Sequence, residues 1–285
     1  MNYQHLYHAG NFADVAKHAA LVYCLNALKR KDKAFFALDT HAGRGVYDLR
    51  SAEARKSAEA EHGIQLLRER GANEPALADY LTAVGALGER GRRRLSTYPG
   101  SAALIAAALR PGDRAVLVER SPTEARAAER QLVSAGRLRV DNGDGYAALK
   151  ALLPPAERRG LVLIDPPYED LDEWRTLLRS FAEAYRRWPS GTYLIWYPIL
   201  DAAQRRSVHA RLAALAIPKT LIADLAVHPD DAGLGLAGSG TAIVNPPFGA
   251  DLALRSAYEA IHRHLAPTGA GYVEVARLTA ERVAQ

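Results

Sequence analysis

Cysteine is nearly absent from this sequence of 285 residues, which contains only Cys24. A single thiol excludes an intramolecular disulfide and any zinc site that needs two cysteine ligands, and it is typical of a reducing, intracellular environment. Long hydrophobic runs are missing too. No stretch approaches the roughly 18 apolar residues of a membrane helix, and three early histidines interrupt the region where a signal peptide requires an apolar run. We therefore expect a soluble, cytoplasmic protein with neither a membrane nor a disulfide partner.

The composition is that of a globular protein with a slight excess of positive charge. Hydrophobic residues make up 48% of the chain and charged residues 24%, so a sizeable core can form and disorder is not expected. The 37 lysines and arginines outnumber the 32 aspartates and glutamates, which gives a net charge of +5. This excess favours a polyanionic partner without requiring one, because arginine-rich surfaces occur in many enzymes.

Short apolar runs recur along the chain with helical stretches between them. The runs of strand character are AFFALD (34–39), RAVLVER (114–120), LRV (138–140), GLVLID (160–165), TYLIWY (192–197), LIADLAV (221–227) and TAIVN (241–245). Alternation of strands with helices predicts a parallel, doubly wound α/β sheet, and continuous apolar runs suit strands that are buried on both faces. The last two runs are joined without a helix, which predicts an antiparallel hairpin at the edge. We therefore expect a mostly parallel sheet with one strand for each of these runs, seven-stranded in all.

An unusually long segment separates the first predicted strand from the second, far beyond a crossover of one helix. Residues 52–70 and 75–87 within it have helical composition. We therefore predict a small helical subdomain, residues 46–97, inserted into a single α/β domain formed by residues 1–45 and 98–285.

Acidic residues and glycines follow the predicted strands at the carboxyl edge, where open α/β sheets bind ligands. Asp39 and Gly43 follow the first strand in the segment DTHAGRG, and Glu119 ends the second. Glycine there lets the backbone approach a bound cofactor, and a carboxylate on the second strand commonly accepts hydrogen bonds from ribose hydroxyls. A tight turn without a ligand is the alternative. Asp144 follows the third strand, where it either binds an adenine amino group or caps the next helix.

Two patterns resemble sites without fitting them. A literal GxGxxG occurs at Gly233, Gly235 and Gly238, but it precedes a strand, so no helix N-terminus follows to receive a phosphate. We interpret it as a flexible hairpin loop. The histidines near the N-terminus lack a suitably spaced carboxylate or cysteine, so no metal site is predicted.

The most specific local pattern is Asp165-Pro166-Pro167-Tyr168 at the end of the fourth strand. An enzyme that methylates an exocyclic amine must restore lone-pair density that is delocalised into the base ring. The Asp165 carboxylate and the Pro166 carbonyl can accept the two amino hydrogens and orient the nitrogen toward an electrophilic methyl group. Tyr168 offers an aromatic face for a flipped base. The alternative is a proline-rich strand end with an exposed tyrosine.

A second such tetrapeptide, Asn245-Pro246-Pro247-Phe248, closes the last predicted strand. In principle the Asn245 amide can do the same work as a carboxylate. Because we place this strand at an antiparallel edge, away from the site, we assign this copy to chain reversal. The residues alone therefore predict an amino-methyltransferase acting on a nucleobase, with RNA, DNA and a protein amide open as substrates.

Segments that run nearly from end to end resemble the RlmJ family of bacterial 23S ribosomal RNA adenine-N6 methyltransferases. They are YQHLYHAGNFADVAKH (3–18), LDTHAGRGVYDL (38–49), TYPGS (97–101), DGY (144–146), RRGLVLIDPPYE (158–169), YLIWYP (193–198) and GSGTAIVNPPF (238–248). HAGNFADVAKH and DTHAGRG are much more specific to the family than DPPY, which many amino-methyltransferases share. The chain departs from the family at Phe12 and Phe248, where related sequences often carry His and Trp.

The resemblance implies a Rossmann-like class I methyltransferase that uses S-adenosylmethionine to methylate adenine 2030 of 23S rRNA, in bacterial reference numbering. It implies a catalytic role for Asp165 in the DPPY segment. It also implies cofactor contacts from His18, His41, Ser101, Glu119, Asp144 and Gly145. The strand-end argument adds Asp39 and Gly43 to this set. Finally, Tyr3, His5 and Lys17 match positions of the family in or beside its N-terminal segment. The resemblance implies that this segment lies near the active site.

The expected partner is protein-free or early-assembly 23S rRNA, because a base must leave its stack and a compact protein has little surface with which to remodel a packed particle. Arg92 and Arg93, in the segment ERGRRRL, either contact this RNA or belong to a solvated run. Two rival functions stay open. A DNA adenine-N6 methyltransferase is disfavoured because no long target-recognition domain is present, and a non-catalytic RNA-binding factor on the same fold would not need Asp165 and Tyr168.

Overall fold

The computed structural model describes residues 5–88, 94–132, 137–170, 172–229, 233, 235–267 and 269–279. Its strands are β1 (Phe36–Asp39), β2 (Val46–Asp48), β3 (Thr97–Pro99), β4 (Arg114–Glu119), β5 (Leu138–Asn142), β6 (Gly160–Ile164), β7 (Thr192–Ile199), β8 (Thr220–Ala226), β9 (Gly238–Val244) and β10 (Tyr272–Thr279). Its α-helices are α1 (Phe12–Lys29), α2 (Ala52–Ser57), α3 (Leu66–Arg70), α4 (Ala78–Leu87), α5 (Ser101–Ala108), α6 (Pro122–Leu132), α7 (Gly145–Leu152), α8 (Glu173–Arg187), α9 (Ala202–Ala214) and α10 (Ala250–Leu265).

Eight of these strands form the main sheet, in the order β10-β8-β9-β7-β6-β1-β4-β5. The strands from β7 to β5 in this order run parallel, whereas β9 is antiparallel to both β7 and β8, and β10 is antiparallel to β8. Every predicted strand is present, and the mostly parallel α/β sheet is confirmed. The predicted number of seven strands is wrong, and so is the edge position of the last predicted strand, because β9 lies between β7 and β8.

The additional strand, β10, escaped prediction because it lies at the edge of the sheet. Only Val275 of its residues is buried, so YVEVARLT shows no continuous apolar run. By contrast, every residue of β6 and of β8 is buried, which is the pattern of strands covered on both faces. Burial therefore decides which strands a hydrophobic pattern can reveal.

Helices cover both faces of the sheet, and each face has its own apolar core. On one face α1, α5 and α10 contribute residues such as Leu21, Ile105 and Ile261. On the other face α7 and α8 contribute residues such as Leu149 and Phe181. None of the helices in the described ranges has the length and apolar character needed to cross a membrane. The loops that follow the parallel strands are left at the carboxyl edge of the sheet, where ligands bind in such folds.

The segment between β1 and β4 holds the antiparallel two-stranded sheet β2–β3, the short helices α2 to α4 and a π-helical turn at Glu61–Gln65. Its helices pack against α1 and α10. The approach is closest at Gly63, where an added Cβ would lie 2.1 Å from the carbonyl oxygen of Gly10, and the Ile64 amide donates to the same oxygen at 2.8 Å. The division of the chain into an α/β domain and an inserted helical subdomain stays a prediction.

Candidate active site

Three carboxylates come together at the carboxyl edge of the sheet. Asp39 ends β1, Glu119 ends β4 and Asp165 follows β6, and these strands are neighbours in the order β6-β1-β4. Because parallel strands end at the same edge, acidic residues from three distant segments lie in one region. This is the edge at which the sequence analysis placed the site.

The turn after β1 is fixed by Glu119. Gly43 has φ +61°, a left-handed conformation that favours glycine, and its amide donates to Glu119 Oε2 at 2.9 Å. The other oxygen, Oε1, accepts from the Ser121 amide at 2.7 Å. Burial raises the pKa of Glu119, while the amides that bond to it oppose the rise. Glu119 thus joins the ends of β1 and β4, where a ribose-binding carboxylate is expected.

Asp39 has a carboxyl oxygen without a hydrogen-bond donor. Its side chain is completely buried, Oδ1 accepts from the His41 amide at 3.2 Å, and Oδ2 has no partner within the part of the chain that the structure describes. Burial raises the pKa of Asp39 to about 7, and the negative charge of Asp165 adds to the rise. The polar Ser101 side chain opposes it, because it stabilises the charged carboxylate. A buried acceptor in this state suits a ligand with a positively charged donor group.

The N-terminus of α7 closes the site beside β1. Asp144 caps this helix by accepting a hydrogen bond from the Tyr146 amide at 2.9 Å, so the capping role predicted as one alternative is present. An added Cβ on Gly145 would lie 2.1 Å from the carbonyl oxygen of Thr40, which shows how closely the helix approaches the end of β1. The His41 ring lies edge-on to that of Tyr146, with 5.3 Å between centroids.

Two histidines of this region, the partly buried His41 and the buried His18, are neutral at physiological pH. Burial lowers the pKa of His41 to about 4, although Asp165 and Asp144 oppose the shift. Burial also lowers the pKa of His18 to about 3. The His18 side chain is almost fully enclosed, and its Nδ1 hydrogen-bonds with the Tyr98 hydroxyl at 2.7 Å. His18 therefore lies in the protein interior beside Tyr98, and its contact with a cofactor stays a prediction.

Lys17 of α1 reaches the catalytic candidate. Its Nζ donates to Asp165 Oδ2 at 2.5 Å and lies 3.0 Å from Asp14 Oδ1. The side chains of Lys17 and Asp165 are 5% and 13% exposed, and the Trp196 ring centroid lies 5.2 Å from Nζ. A mostly buried ion pair of this geometry fixes the Asp165 carboxylate, because leaving either charge unpaired is costly. The family resemblance indicated Lys17 but not this partner.

Asp14, which the sequence analysis did not single out, holds this cluster together. Its Oδ2 accepts from the Gly10 amide at 2.9 Å and hydrogen-bonds with His5 Nε2 at 3.0 Å. Burial alone would raise the pKa of Asp14, but the surrounding His5, Lys17 and His18 hold it well below its usual value. A signal was present in the sequence, because the spacing of Asp14, Lys17 and His18 puts them on one helix face.

Tyr168 forms an aromatic wall with two tryptophans. Its hydroxyl donates to the Trp196 carbonyl oxygen at 2.5 Å, and its ring centroid lies 5.0 Å from that of Trp174 and 5.8 Å from that of Trp196. Tyr168, directly after Pro167, also has φ +54°, a left-handed conformation that is strained for a bulky side chain. The sequence indicates Trp196 only as part of a strand and of a family segment, and it gives no sign that Trp174 of α8 belongs to the site.

The second tetrapeptide lies at the amino ends of the parallel strands, on the side of the sheet opposite to Asp165. Asn245 follows the antiparallel β9, and its Nδ2 donates to the carbonyl oxygens of Pro189 and Gly191, both at 2.8 Å, just before β7 begins. Asn245 therefore lies away from Asp165 because β9 runs antiparallel to its neighbours. The prediction that β9 is an outermost strand of the sheet is not the reason. Asn245 has φ +52°, a turn conformation that asparagine tolerates well.

Some candidate substrate contacts lie outside the described residues, namely Tyr3, Arg92 and Arg93. His5, in contrast, is described, and its ring lies edge-on to Tyr47 of β2 with 4.9 Å between centroids. Tyr47 in turn faces the glycine turn, since an added Cβ on Gly43 would lie 2.2 Å from its hydroxyl oxygen. The N-terminal segment and the turn after β1 are thus neighbours.

Comparison with solved structures supports this fold. A protein of known crystal structure from Legionella pneumophila superimposes with a TM-score of 0.87 at 32% identity, over 95% of this chain and 98% of that one. A probable spermidine synthase from Corynebacterium glutamicum superimposes with a TM-score of 0.52 at 12% identity, over 94% and 75% of the two chains, a likeness of fold alone. The fold is that of the Rossmann-like class I methyltransferases.

Sequence comparison identifies the family within this class. Residues 32–279 match the family described as ribosomal RNA large subunit methyltransferase D, RlmJ. Curated relatives from Haemophilus influenzae and Escherichia coli K12, both named ribosomal RNA large subunit methyltransferase J, are 38% and 36% identical over 281 residues, which are 99% of this chain and 100% of theirs. The chain belongs to the RlmJ family, and the resemblance inferred from its sequence is confirmed.

Proposed function

We propose that this chain transfers a methyl group from S-adenosylmethionine to the N6 amine of an adenine in 23S rRNA, adenine 2030 in bacterial reference numbering. The observation that carries the proposal is the Asp165 carboxylate, held by Lys17 at the end of β6, close to the buried Asp39. The names of the curated relatives, which are ribosomal RNA large subunit methyltransferases, support RNA as the substrate class.

The residues around Asp39 fit S-adenosylmethionine. This cofactor carries an ammonium group, and the unpartnered Oδ2 of Asp39 is a buried acceptor for such a group. Glu119 has the position expected of a ribose-binding carboxylate. When bound, the cofactor supplies an electrophilic methyl group on its sulfonium sulfur. The proposed cofactor contacts are His18, His41, Ser101, Glu119, Asp144, Gly145, Asp39 and Gly43.

Asp165 and Pro166 are the proposed acceptors for the target amine. The lone pair of an adenine amine is delocalised into the ring, so the nitrogen is a poor nucleophile until its hydrogens are held. Lys17 occupies Oδ2 of Asp165, which leaves Oδ1 for one amino hydrogen, and the Pro166 carbonyl accepts the other. Lys17 also balances the charge of the carboxylate in a mostly buried position.

The target base must leave its stack before its amine can reach Asp165. Tyr168, with Trp174 and Trp196 beside it, offers a surface on which the flipped adenine stacks, an interaction worth about 1 to 3 kcal/mol. Unstacking costs a few kcal/mol and is cheapest in loops and weak pairs. The proposed substrate is therefore protein-free or early-assembly rRNA, in which such structures are accessible.

Substrate contacts are proposed near the N-terminus and in the insertion: Tyr3, His5, Lys17, Arg92 and Arg93. His5 and Lys17 are joined through the Asp14 carboxylate, which accepts from one and pairs with the other. The N-terminal segment is therefore linked to the same lysine that holds Asp165. A substrate that displaces His5 therefore also shifts Lys17, because both side chains contact the Asp14 carboxylate.

Labelled methyl transfer tests the proposal. Total RNA from cells that lack the modification is incubated with the protein and labelled S-adenosylmethionine, and the modified base is then mapped. We expect label in a single adenine of 23S rRNA, as N6-methyladenine. Preferential labelling of duplex DNA would favour the DNA methyltransferase, and RNA binding without any transfer would favour the non-catalytic factor.

A further inference from the structure

A groove of about 510 Å³ lies in the segment between β1 and β4, outside the site described above. Its charged lining residues are Arg50, Arg55, Arg94 and Glu61. The arginines come from two segments that are about forty positions apart in the sequence, so the fold gathers them. Three positive side chains against one negative make this groove a candidate anion site.

The walls of the groove are held by hydrogen bonds to backbone groups, two of them made by the Gln65 side chain. The Leu49 amide donates to the Ser96 carbonyl oxygen at 2.9 Å, directly beyond the paired strands β2 and β3. The Gln65 side chain donates to the Leu95 carbonyl oxygen at 2.8 Å and accepts from the Leu95 amide at 3.1 Å. The backbone that carries Arg50 and Arg94 is therefore fixed before any ligand binds, which lowers the entropic cost of binding.

The arginines of the groove are available to a stronger anion. Arg50 pairs with Asp48 at 3.0 Å and Arg94 pairs with Glu61, and all four side chains are about half exposed or more. Such exposed pairs contribute little to stability, so a phosphate can replace them at little cost. Arg55 is exposed and makes no ion pair with any residue that the structure describes. Arginine also binds phosphate through two parallel hydrogen bonds.

The groove lies near the cofactor-binding turn. Gly45 ends that turn, and its carbonyl oxygen accepts from the Gly100 amide at 2.7 Å. Arg50 follows five positions later, on a chain that spans at most about 18 Å over this length. Tyr47 between them contacts His5 of the N-terminal segment. The groove therefore lies within about 18 Å of the turn after β1, a distance that a few nucleotides of RNA can span.

We propose that Arg50, Arg55 and Arg94 form a binding site for backbone phosphates of the RNA that flanks the target base. This inference rests on the proposed function for the identity of the RNA. It concerns a groove that the fold assembles, and it does not require Arg92 or Arg93, which stay unchanged in every variant below. The groove fixes the direction in which the RNA leaves the active site.

Salt dependence of RNA binding tests the groove. The triple variant Arg50→Gln, Arg55→Gln and Arg94→Gln is compared with wild type on a fluorescent transcript that contains the target hairpin and its flanks. Each lost phosphate contact lowers the slope of log affinity against log salt by roughly 0.7 to 0.9, so we expect a drop of about 2. Between about 50 and 200 mM salt, wild-type binding should then weaken roughly 16-fold more than that of the variant.

Two matched variants control for total charge and for folding. Arg186→Gln, Arg206→Gln and Arg211→Gln remove the same charge from exposed positions of α8 and α9, and should leave the slope at its wild-type value. Lysine at the three groove positions keeps the charge and should retain most of the slope. Thermal unfolding of each variant shows whether the fold is intact.

A single substitution offers a test in the opposite direction. Glu61 is the acid that competes for Arg94 within the groove. Glu61→Gln should therefore strengthen RNA binding at an unchanged salt slope, because Arg94 already contacts a phosphate in wild type, whereas a purely structural ion pair predicts no gain in affinity.

The outcomes separate this inference from the proposed function. An unchanged slope in the groove variant overturns the groove as an RNA site. If pyrophosphate raises the Tm of wild type but not of the groove variant, while RNA binding is equal in both, the groove is a small-anion site and the RNA assignment is wrong. Binding is measured without turnover, so failure of wild type to methylate rRNA counts against the proposed function alone.

Discussion

The buried Asp39 carboxyl group makes the stability of the cofactor-free protein depend on pH. Its pKa is about 7 in the folded chain and about 3.9 in an unfolded one, so the folded state binds the proton more tightly. By linkage, the free energy of unfolding then falls as pH rises from about 4 to about 7, by up to roughly 4 kcal/mol. Above this range the group is ionised in both states and adds no further dependence.

Asparagine at this position should remove the effect. We expect Asp39→Asn to raise the Tm of the cofactor-free protein at pH 8 and to change it little at pH 4.5, where Asp39 is neutral as well. The exposed Asp79→Asn on α4 is the matched control and should show no such pH dependence. Because Oδ2 is the proposed acceptor for the cofactor ammonium group, Asp39→Asn should also lose most of the stabilisation by S-adenosylmethionine. Parallel pH profiles for variant and wild type would contradict this account.

Asp165 should matter for chemistry and little for cofactor binding. We expect Asp165→Ala to lower turnover by about 10²- to 10³-fold, the usual effect of removing one oriented group from a transition state, worth about 3 to 4 kcal/mol. Calorimetry should still detect S-adenosylmethionine, because the proposed ammonium acceptor is Asp39. The exposed Asp170→Ala serves as control. Methyl transfer at the wild-type rate by Asp165→Ala would remove it from the mechanism.

At the scale of elements, the direction of β9 separates the two proline-rich tetrapeptides. Asn245→Ala loses two hydrogen bonds from Nδ2 and places alanine at φ +52°. We expect the free energy of unfolding to fall by about 2 to 4 kcal/mol, with turnover unaffected at a temperature where the variant is folded.

Asn245→Gly isolates the conformational part of this loss. Glycine tolerates the left-handed conformation but cannot make the hydrogen bonds, so its stability should lie between those of wild type and Asn245→Ala. Urea unfolding of the three proteins gives the ranking. A loss of turnover as large as that of Asp165→Ala would instead give the Asn245 amide a role in the reaction.

The elements that the sequence predicts are the ones that bury a continuous apolar run. All residues of β6 and β8 are buried, and both strands were predicted. The order β8-β9-β7 could not be predicted, because strand pairing depends on contacts between distant segments that periodicity does not encode. For the same reason the sequence indicated Asp39, Glu119 and Asp165 singly, through their strand ends, but gave no sign of the bond between Asp165 and Lys17.

At the scale of the whole molecule, a chain of 285 residues can contact only local RNA structure. Short transcripts that span the target hairpin should therefore accept methyl groups about as well as full-length RNA, and mature large subunits should be poor substrates. Unmodified transcript, assembly intermediates and mature subunits compared at one salt concentration give the order. A preference for the mature subunit would show that ribosomal proteins help to present the base.

The pairing of Lys17 with Asp165 also has a consequence for synthesis of the chain. These residues are 148 positions apart, and closing so long a loop costs conformational entropy that only the packed sheet repays. During translation α1 emerges first, while its partner at the end of β6 follows only after more than half of the chain has been made. A nascent or truncated chain that lacks β6 therefore cannot form this ion pair, and the proposed methyl transfer would report that the sheet has closed.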